Sequence, residues 1–393
     1  TPAEFAQTHL PSDAVAPTVP EQAPLPQNLP QQDPAPAPVA THAPLPPAAA
    51  TKTPPAAELP PTMPPAKGAP IGPTRVTTTP PRPPEPVSVL PRAPQSVAAS
   101  GLRSHEVESL VLKTLSNAGA YSSRQIAEQI KLPGDIVREV LDDLRNELLV
   151  VHRGTSDLVD YVFQLTEEGN SRCKIYSAKT NYCGSAPVTL DAYVQSVRDQ
   201  AVAKRTIQLD DFRQALAGLY LTPEVQSQLA QAVNAGRGLF LYGLPGNGKT
   251  SVAERLMACY PDTIWIPRAI SIGGDIMRLF DPSVHTEVNP ADWGVDADRV
   301  EIDRRWVMIQ RPTVIVGGEL TLEHLEIREQ PGSSVLEAPV QLKSNGGTLV
   351  IDDFGRQRVS ATDILNRWIV PLERREDFLN LPNGRQIQVP FLQ

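Results

Sequence analysis

The sequence predicts an α/β protein with a parallel-sheet core, preceded by a small α+β domain and a disordered, proline-rich N-terminal tail. Three observations carry that expectation. An apolar run, Gly238-Leu-Phe-Leu-Tyr242, leads into a glycine-rich loop and then a helical stretch. A second apolar run, Thr348-Leu-Val-Ile351, ends in two adjacent carboxylates, Asp352 and Asp353. At Ser104 the text changes from proline-rich to apolar residues at helical spacing.

The tail comes first. Of the 42 prolines in 393 residues, 28 fall in the first 100. Aromatics are few there and no apolar period is sustained. Such a segment cannot bury enough surface to offset the entropy of ordering it. Residues 1–100 therefore read as a disordered Pro/Ala-rich tether, extended in part as a polyproline helix. Pro80-Pro-Arg82-Pro-Pro reads as spacer before it reads as a docking ligand. The chain begins with Thr1, and no stretch near it has a signal-peptide pattern. No apolar run reaches the length that crosses a bilayer. Cys173, Cys183 and Cys259 lack metal-type spacing and read as small buried hydrophobes in a reducing, cytoplasmic setting. The net charge of −8 divides as −1 in the tail, −2 in residues 101–187 and −5 in residues 188–393. No part is basic, so the broad electrostatic footprint of a nucleic-acid binder is absent.

Residues 101–187 form the second expected domain. Val107, Leu110, Val111 and Leu115 repeat at helical spacing after Ser104, a good N-cap residue, and Gly119 ends that helix. Ser122 to Leu132 gives a second helix, and Pro133-Gly134 a turn. A third helix, capped by Asp135, aligns Ile136, Val140, Leu141, Leu144 and Leu148. Two β-rich runs follow, Leu149–His152 and Tyr161–Leu165. Three helices and a β-hairpin, closed by Leu165-Thr-Glu-Glu-Gly169, resemble a winged-helix domain. Such domains often read DNA through the third helix. Here that helix carries Asp135, Glu139, Asp142, Asp143 and Glu147 against Arg138 and Arg145. Phosphate would be repelled. The expectation is protein docking, with Arg124 and Arg153 left to carry any DNA contact.

Residues 188–393 form the third part. Helices are expected over Leu190–Val197 and Val225–Val233, and Gly238–Tyr242 as a short core strand. The loop Gly243-Leu244-Pro245-Gly246-Asn247-Gly248-Lys249-Thr250 follows, and Thr250 to Cys259 continues as a helix. A strand, a glycine-rich loop and a helix N-terminus together make a phosphate cradle. Glycines let backbone N–H groups turn inward, and the helix start adds free donors and its dipole. The nucleotide-binding set is Gly243 through Ser251. Lys249 reaches the β- and γ-phosphates, and the Thr250 hydroxyl ligates Mg²⁺. Asp352 holds the magnesium through water, and Asp353 polarises the attacking water. Catalysis is thus assigned to Lys249 and Asp353, and the metal to Thr250 and Asp352. Asp262–Pro267 reads as a second core strand, Arg304–Gly317 as a hairpin insertion, and Ile327–Leu342 as further strands or a short helix. Thr362–Val370 reads as a helix, and Leu379–Phe391 as a second hairpin turning at Asn383-Gly384.

These residues resemble the AAA+ ATPases. The phosphate loop, with its internal Pro245-Gly246, is close to that family's usual form. Asn345-Gly-Gly-Thr-Leu-Val-Ile-Asp352 resembles the Walker B lead-in of the sigma-54 activator branch. The following helix and hairpin are similar to the pre-sensor hairpin of that branch and of MoxR-type ATPases. The resemblance covers about residues 200–393 and implies ATP and Mg²⁺ as ligands, hydrolysis to ADP and phosphate, and a homo-oligomeric ring. It departs in three ways. Asp353 stands where most members carry Glu, as in helicase-loader and transposase-helper ATPases. The contact loop Gly-Ala-Phe-Thr-Gly-Ala is absent. The chain stops at Phe391-Leu-Gln393, where the sensor-1 strand is expected to begin, so the core reads as truncated before sensor 1 and the lid. The functional expectation is an ATPase that remodels a protein partner, chosen by the winged-helix region or the hairpins. The alternative is an ATP-dependent DNA-binding switch. Arg356, Arg358, Arg374 and Arg375 are the arginines that could face a neighbouring subunit.

Overall fold

The computed structural model describes residues 90–393 apart from 158–159, 202–206, 245, 261–262, 294–300, 331 and 393. All of these belong to one unit, Thr78–Gln393. Most of the expected tether, residues 1–89, lies outside the described residues. Its last part, residues 90–100, is described and packs onto the fold, inside the boundary at residue 100 drawn from composition. Leu90 packs against Val188, Trp265, Trp306 and Met308. Ala93 N–H donates to the Glu301 carbonyl at 2.8 Å, and Asp303 N–H to the Pro91 carbonyl at 3.0 Å.

Helix α1 spans Ser104–Ala118 and stops at Gly119, whose N–H bonds the Leu115 carbonyl at 2.8 Å. Strand β1 is Tyr121–Ser122. Helix α2, Ser123–Ile130, starts on a reciprocal cap: Ser122 Oγ accepts from Gln125 N at 3.3 Å, and Gln125 Oε1 accepts from Ser122 N at 2.9 Å. Helix α3 is Gly134–Asn146. Strands β2, Val150–Asp157, and β3, Asp160–Leu165, pair antiparallel, and β1 joins the other edge of β3. Helix α4, Glu167–Lys179, is capped by Thr166, whose Oγ1 accepts from Gly169 N at 2.9 Å. The apolar stripes of α1, α2 and α3 close one core around Val107, Leu110, Ile126, Ile130, Val140 and Leu141. Each such side chain contributes roughly 1.5–3 kcal/mol through burial.

The remaining elements surround several small sheets. Strand β4 is Val188–Thr189, and helices α5, α6 and α7 are Leu190–Asp199, Leu209–Ala215 and Pro223–Asn234. Helix α8, Lys249–Leu256, follows the glycine-rich loop. Strands β5 (Thr263–Pro267), β6 (Ala269–Ile272), β7 (Asp275–Arg278), β8 (Trp306–Gln310), β9 (Thr313–Val316), β10 (Arg328–Glu329) and β11 (Leu336–Glu337) come next. Then come α9 (Val340–Lys343), β12 (Thr348–Ile351), α10 (Ala361–Arg374), β13 (Glu376–Asn380) and β14 (Gln386–Pro390). One mixed sheet has the order β10-β11-β7-β6-β4, and β5–β8, β12–β9 and β13–β14 pair separately.

Three sequence expectations change here. Strand β5 is antiparallel to β8, so it extends no parallel core. The run Arg304–Gly317 is not a hairpin: β8 pairs with β5, while β9 pairs in parallel with β12. Residues 311–312 between them send two consecutive strands into different sheets. Gly238–Tyr242 forms no strand, and Phe240 and Tyr242 are 66% and 95% exposed. An apolar run becomes a strand only where its backbone meets another strand's. Here the run is held by side chains instead. Gly238 lies against Leu372 of α10, and Phe240 meets Phe354 edge-on at 6.1 Å.

Helix α10 buries Ile364, Trp368 and Pro371 and anchors the hairpin β13–β14 through Arg367, which donates to Asp377 at 2.7 and 3.1 Å. The hairpin turns at Asn383-Gly384, with Gly384 at φ 80°. Among the described residues, no helix is long and apolar enough to cross a membrane.

Candidate nucleotide-binding site

The glycine-rich loop adopts backbone shapes that explain its composition. Gly246 and Gly248 stand at φ 82° and 70°, in the left-handed region. An L side chain there costs roughly 1–2 kcal/mol. Apart from the chain neighbours, no heavy atom lies within 4 Å of where a Cβ would stand at Gly243, Gly246 or Gly248, so these positions are uncrowded. Pro245 lies outside the described residues. Leu244 and Asn247 are exposed, and Ser251 is half-buried in the first turn of α8. That helix begins at Lys249, directly after the loop, and its first N–H groups are the ones a helix leaves without internal partners. Lys249 Nζ donates to the carbonyls of Gly243 and Leu244, each at 3.1 Å, so its ammonium sits at the loop's mouth.

The acidic pair meets this loop. The parallel ladder of β12 with β9 continues one step further, with Asp352 N–H donating to the Val316 carbonyl at 2.8 Å. This fixes Asp352 at the end of β12. Its Oδ2 accepts a 2.9 Å hydrogen bond from Thr250 Oγ1, and its Oδ1 accepts from Asp353 N at 2.9 Å. Asp353 therefore turns at φ 50°, another left-handed position, at a cost of roughly 1–3 kcal/mol for a non-glycine residue. Its carboxylate is 66% exposed, with Arg356 Nη1 at 3.7 Å. An exposed pair of that kind contributes little, typically about 0–1 kcal/mol. The two adjacent carboxylates are thus placed differently: Asp352 is bound on both oxygens, while Asp353 faces solvent.

The residues fit a nucleoside triphosphate with Mg²⁺. The open, glycine-lined loop at a helix start suits an anion, Lys249 supplies a positive charge, and Thr250 with Asp352 brings together two hard oxygen donors.

Two participants carried no sequence signal. Gln357, 9% exposed, donates from Nε2 to the Asp352 and Asp353 carbonyls at 2.8 and 3.2 Å, and its Oε1 accepts from Gly355 N at 2.7 Å. Its partners are backbone atoms, which residue types do not reveal. Phe354 joins the loop side through Phe240. The arginines after β12 separate by environment. Arg358 and Arg374 are exposed, Arg356 lies beside Asp353, and Arg375 Nη2 donates to the Gly236 carbonyl at 2.8 Å within its own chain. The tip of the β13–β14 hairpin is also engaged internally. Asn383 Nδ2 donates to Asp275 at 2.8 Å and Arg385 Nη1 to the Gly273 carbonyl at 3.3 Å.

On α3, Asp135, Glu139, Asp142 and Asp143 are all exposed, as is Glu147 just past its end. Its two arginines are tied locally, Arg138 to Asp135 and Arg145 to Asp142 at 3.2 Å. Arg124 is exposed, and Arg153 donates to Gln164 at 3.1 Å.

No protein-family model matches the chain, and no curated protein matches it. Several solved structures are similar to parts of it, two of them as follows. One is a MepR-like protein complexed with pseudoligands, at 14% identity, covering 35% of this chain and 76% of that one, with a TM-score of 0.18. The other is HmgR of Pseudomonas aeruginosa, at 14% identity, covering 53% and 88%, with a TM-score of 0.16. At these scores neither likeness decides fold or function.

Proposed function

We propose that this chain binds ATP with Mg²⁺ in the loop Gly243–Ser251, hydrolyses it as an AAA+-type ATPase, and uses the cycle to remodel a protein partner. The observation that carries this reading is the 2.9 Å hydrogen bond from Thr250 to Asp352. It joins the two motifs that separately pointed to a triphosphate and to its metal. Lys249 exchanges the Gly243 and Leu244 carbonyls for phosphate oxygens, a charge-assisted contact. Thr250 and Asp352 hold the metal, directly and through water. Bound Mg²⁺ supplies neutralisation of phosphate charge. Asp353, free of Asp352's hydrogen bonds, orients the attacking water and takes its proton.

The winged-helix-like region and its acidic α3 surface select the partner, with a basic protein surface as the complementary chemistry. The same surface opposes the alternative, an ATP-dependent DNA-binding switch. A homo-oligomeric ring in the cytoplasm belongs to the same proposal, with Arg356 and Arg358 exposed toward a neighbour.

The test is equilibrium titration of the chain with a fluorescent ATP analogue and Mg²⁺. Lys249→Ala should weaken binding at least tenfold, a loss of about 1.4 kcal/mol or more. Unchanged affinity would sink the site.

A further inference from the structure

We infer that Gln357 is a positioning residue for hydrolysis: its side-chain amide clamps the turn that aims Asp353. This rests on the reading of the site given above and adds to it a group no motif contains. The turn has three features that need holding. Asp353 sits at φ 50°, Gly355 at φ 93°, and among the described residues the Asp353 carboxylate has the 3.7 Å approach of exposed Arg356 and no hydrogen bond to fix its direction. Gln357 reaches back under this turn. Its Nε2 holds the carbonyls of Asp352 (2.8 Å) and Asp353 (3.2 Å), and its Oε1 holds Gly355 N–H (2.7 Å). These are the carbonyls on either side of the Asp353 Cα. Fixing both fixes the peptide planes around it, and so the direction of its Cα–Cβ bond.

The clamp is also buried: Gln357 is 9% exposed among residues that are mostly exposed from Asp353 to Arg358. Asp352 has holds outside the clamp: its N–H is held by Val316, and its Oδ2 by Thr250. Loss of the clamp should therefore disturb the hydrolytic carboxylate while sparing the metal-binding one. A donor must face two carbonyls and an acceptor must face one N–H, and the Gln357 amide supplies them with its NH2 and its oxygen.

The experiment uses the full chain and measures Mg·ATP affinity by titration and turnover by phosphate release. Gln357→Leu should lower kcat at least tenfold while ATP affinity stays within about twofold, consistent with loss of an interaction that matters after binding. Gln357→Glu keeps the shape but turns an oxygen toward the two carbonyls. Its kcat relative to wild type should be low at neutral pH and rise as the pH falls, where the protonated carboxyl regains one donor. This variant also keeps the test alive if Gln357→Leu misfolds. Unchanged kcat in Gln357→Leu, a loss matched by an equal loss of affinity, or a pH-independent Gln357→Glu ratio overturns the inference. So does a wild-type chain that binds ATP without turning it over. A wild type that binds no ATP overturns the site itself. By contrast, turnover that needs Asp353 but not Gln357 overturns this inference alone.

Discussion

Thr250 donates its hydroxyl hydrogen to Asp352 across 102 residues of sequence, and the bond is 2.9 Å long. The relationship is local in space because two different constraints converge. Thr250 is fixed by the first turn of α8, and Asp352 by the ladder of β12 against β9. The functional reading rests on this convergence, and the following expectations test its parts and the scaffold around it.

Asp353→Asn separates binding from chemistry. Asn has nearly the same shape but cannot accept a proton from water. Mg·ATP affinity should change by less than about threefold, while turnover should fall by the roughly 10²–10⁴-fold that a general base contributes. Retained phosphate release would remove Asp353 from the mechanism.

Gly248→Ala probes the loop without crowding it. Gly248 stands at φ 70°, and no heavy atom lies within 4 Å of the new Cβ. The cost is therefore conformational, roughly 1–2 kcal/mol. ATP binding should weaken about tenfold, while the melting temperature measured by circular dichroism moves little. A large drop in melting temperature would mean that the loop serves the fold.

His285 should make stability sensitive to acid. It is 4% exposed, its Nδ1 accepts from Asp281 N at 3.0 Å, and its Nε2 lies 2.7 Å from the Lys343 carbonyl. That pattern requires a neutral ring protonated at Nε2. Burial lowers its pKa; the Lys343 carbonyl and the Asp281 carboxylate pull the other way, and the Lys343 charge adds to the lowering. The folded chain thus takes up a proton less readily than the unfolded one. Stability is complete above the unfolded value of about 6.5 and declines as pH falls from there toward the lower folded value. Urea midpoints between pH 7.5 and 5 should fall, and fall less in His285→Gln. An equal slope in both proteins would assign the sensitivity elsewhere.

Arg305 holds three segments together. Its guanidinium pairs with Asp303 at 2.8 Å and donates to the carbonyls of Ser100 and Pro187 at 2.9 and 3.2 Å, with both charged residues under 5% exposed. Arg305→Met leaves Asp303 charged and buried, which should cost about 3–5 kcal/mol. Adding Asp303→Leu should restore much of that loss. Denaturant unfolding measures both, and a single-variant loss below about 1 kcal/mol would contradict the buried pairing.

Local signals were legible where local physics decides. The apolar stripe of α1 and the Asn383-Gly384 turn depend on neighbours a few residues away, whereas the expected caps Ser104 and Asp135 give way to Arg103 and Pro133. The loop from Gly243 to Thr250 and the carboxylates after Ile351 could be read for the same reason, since their chemistry is written in consecutive residues. The sequence by itself thus determined these local pieces. Tertiary structure alone decided what paired with what. Gly238–Tyr242 has a strand's composition but no ladder. Trp306–Gln310 and Thr313–Val316 look like one hairpin but join different partners, because pairing depends on backbone groups that every residue carries alike. Gln357 was silent for that reason too: its amide finds its role in two carbonyls and an N–H whose positions exist only after the chain turns beyond Asp353.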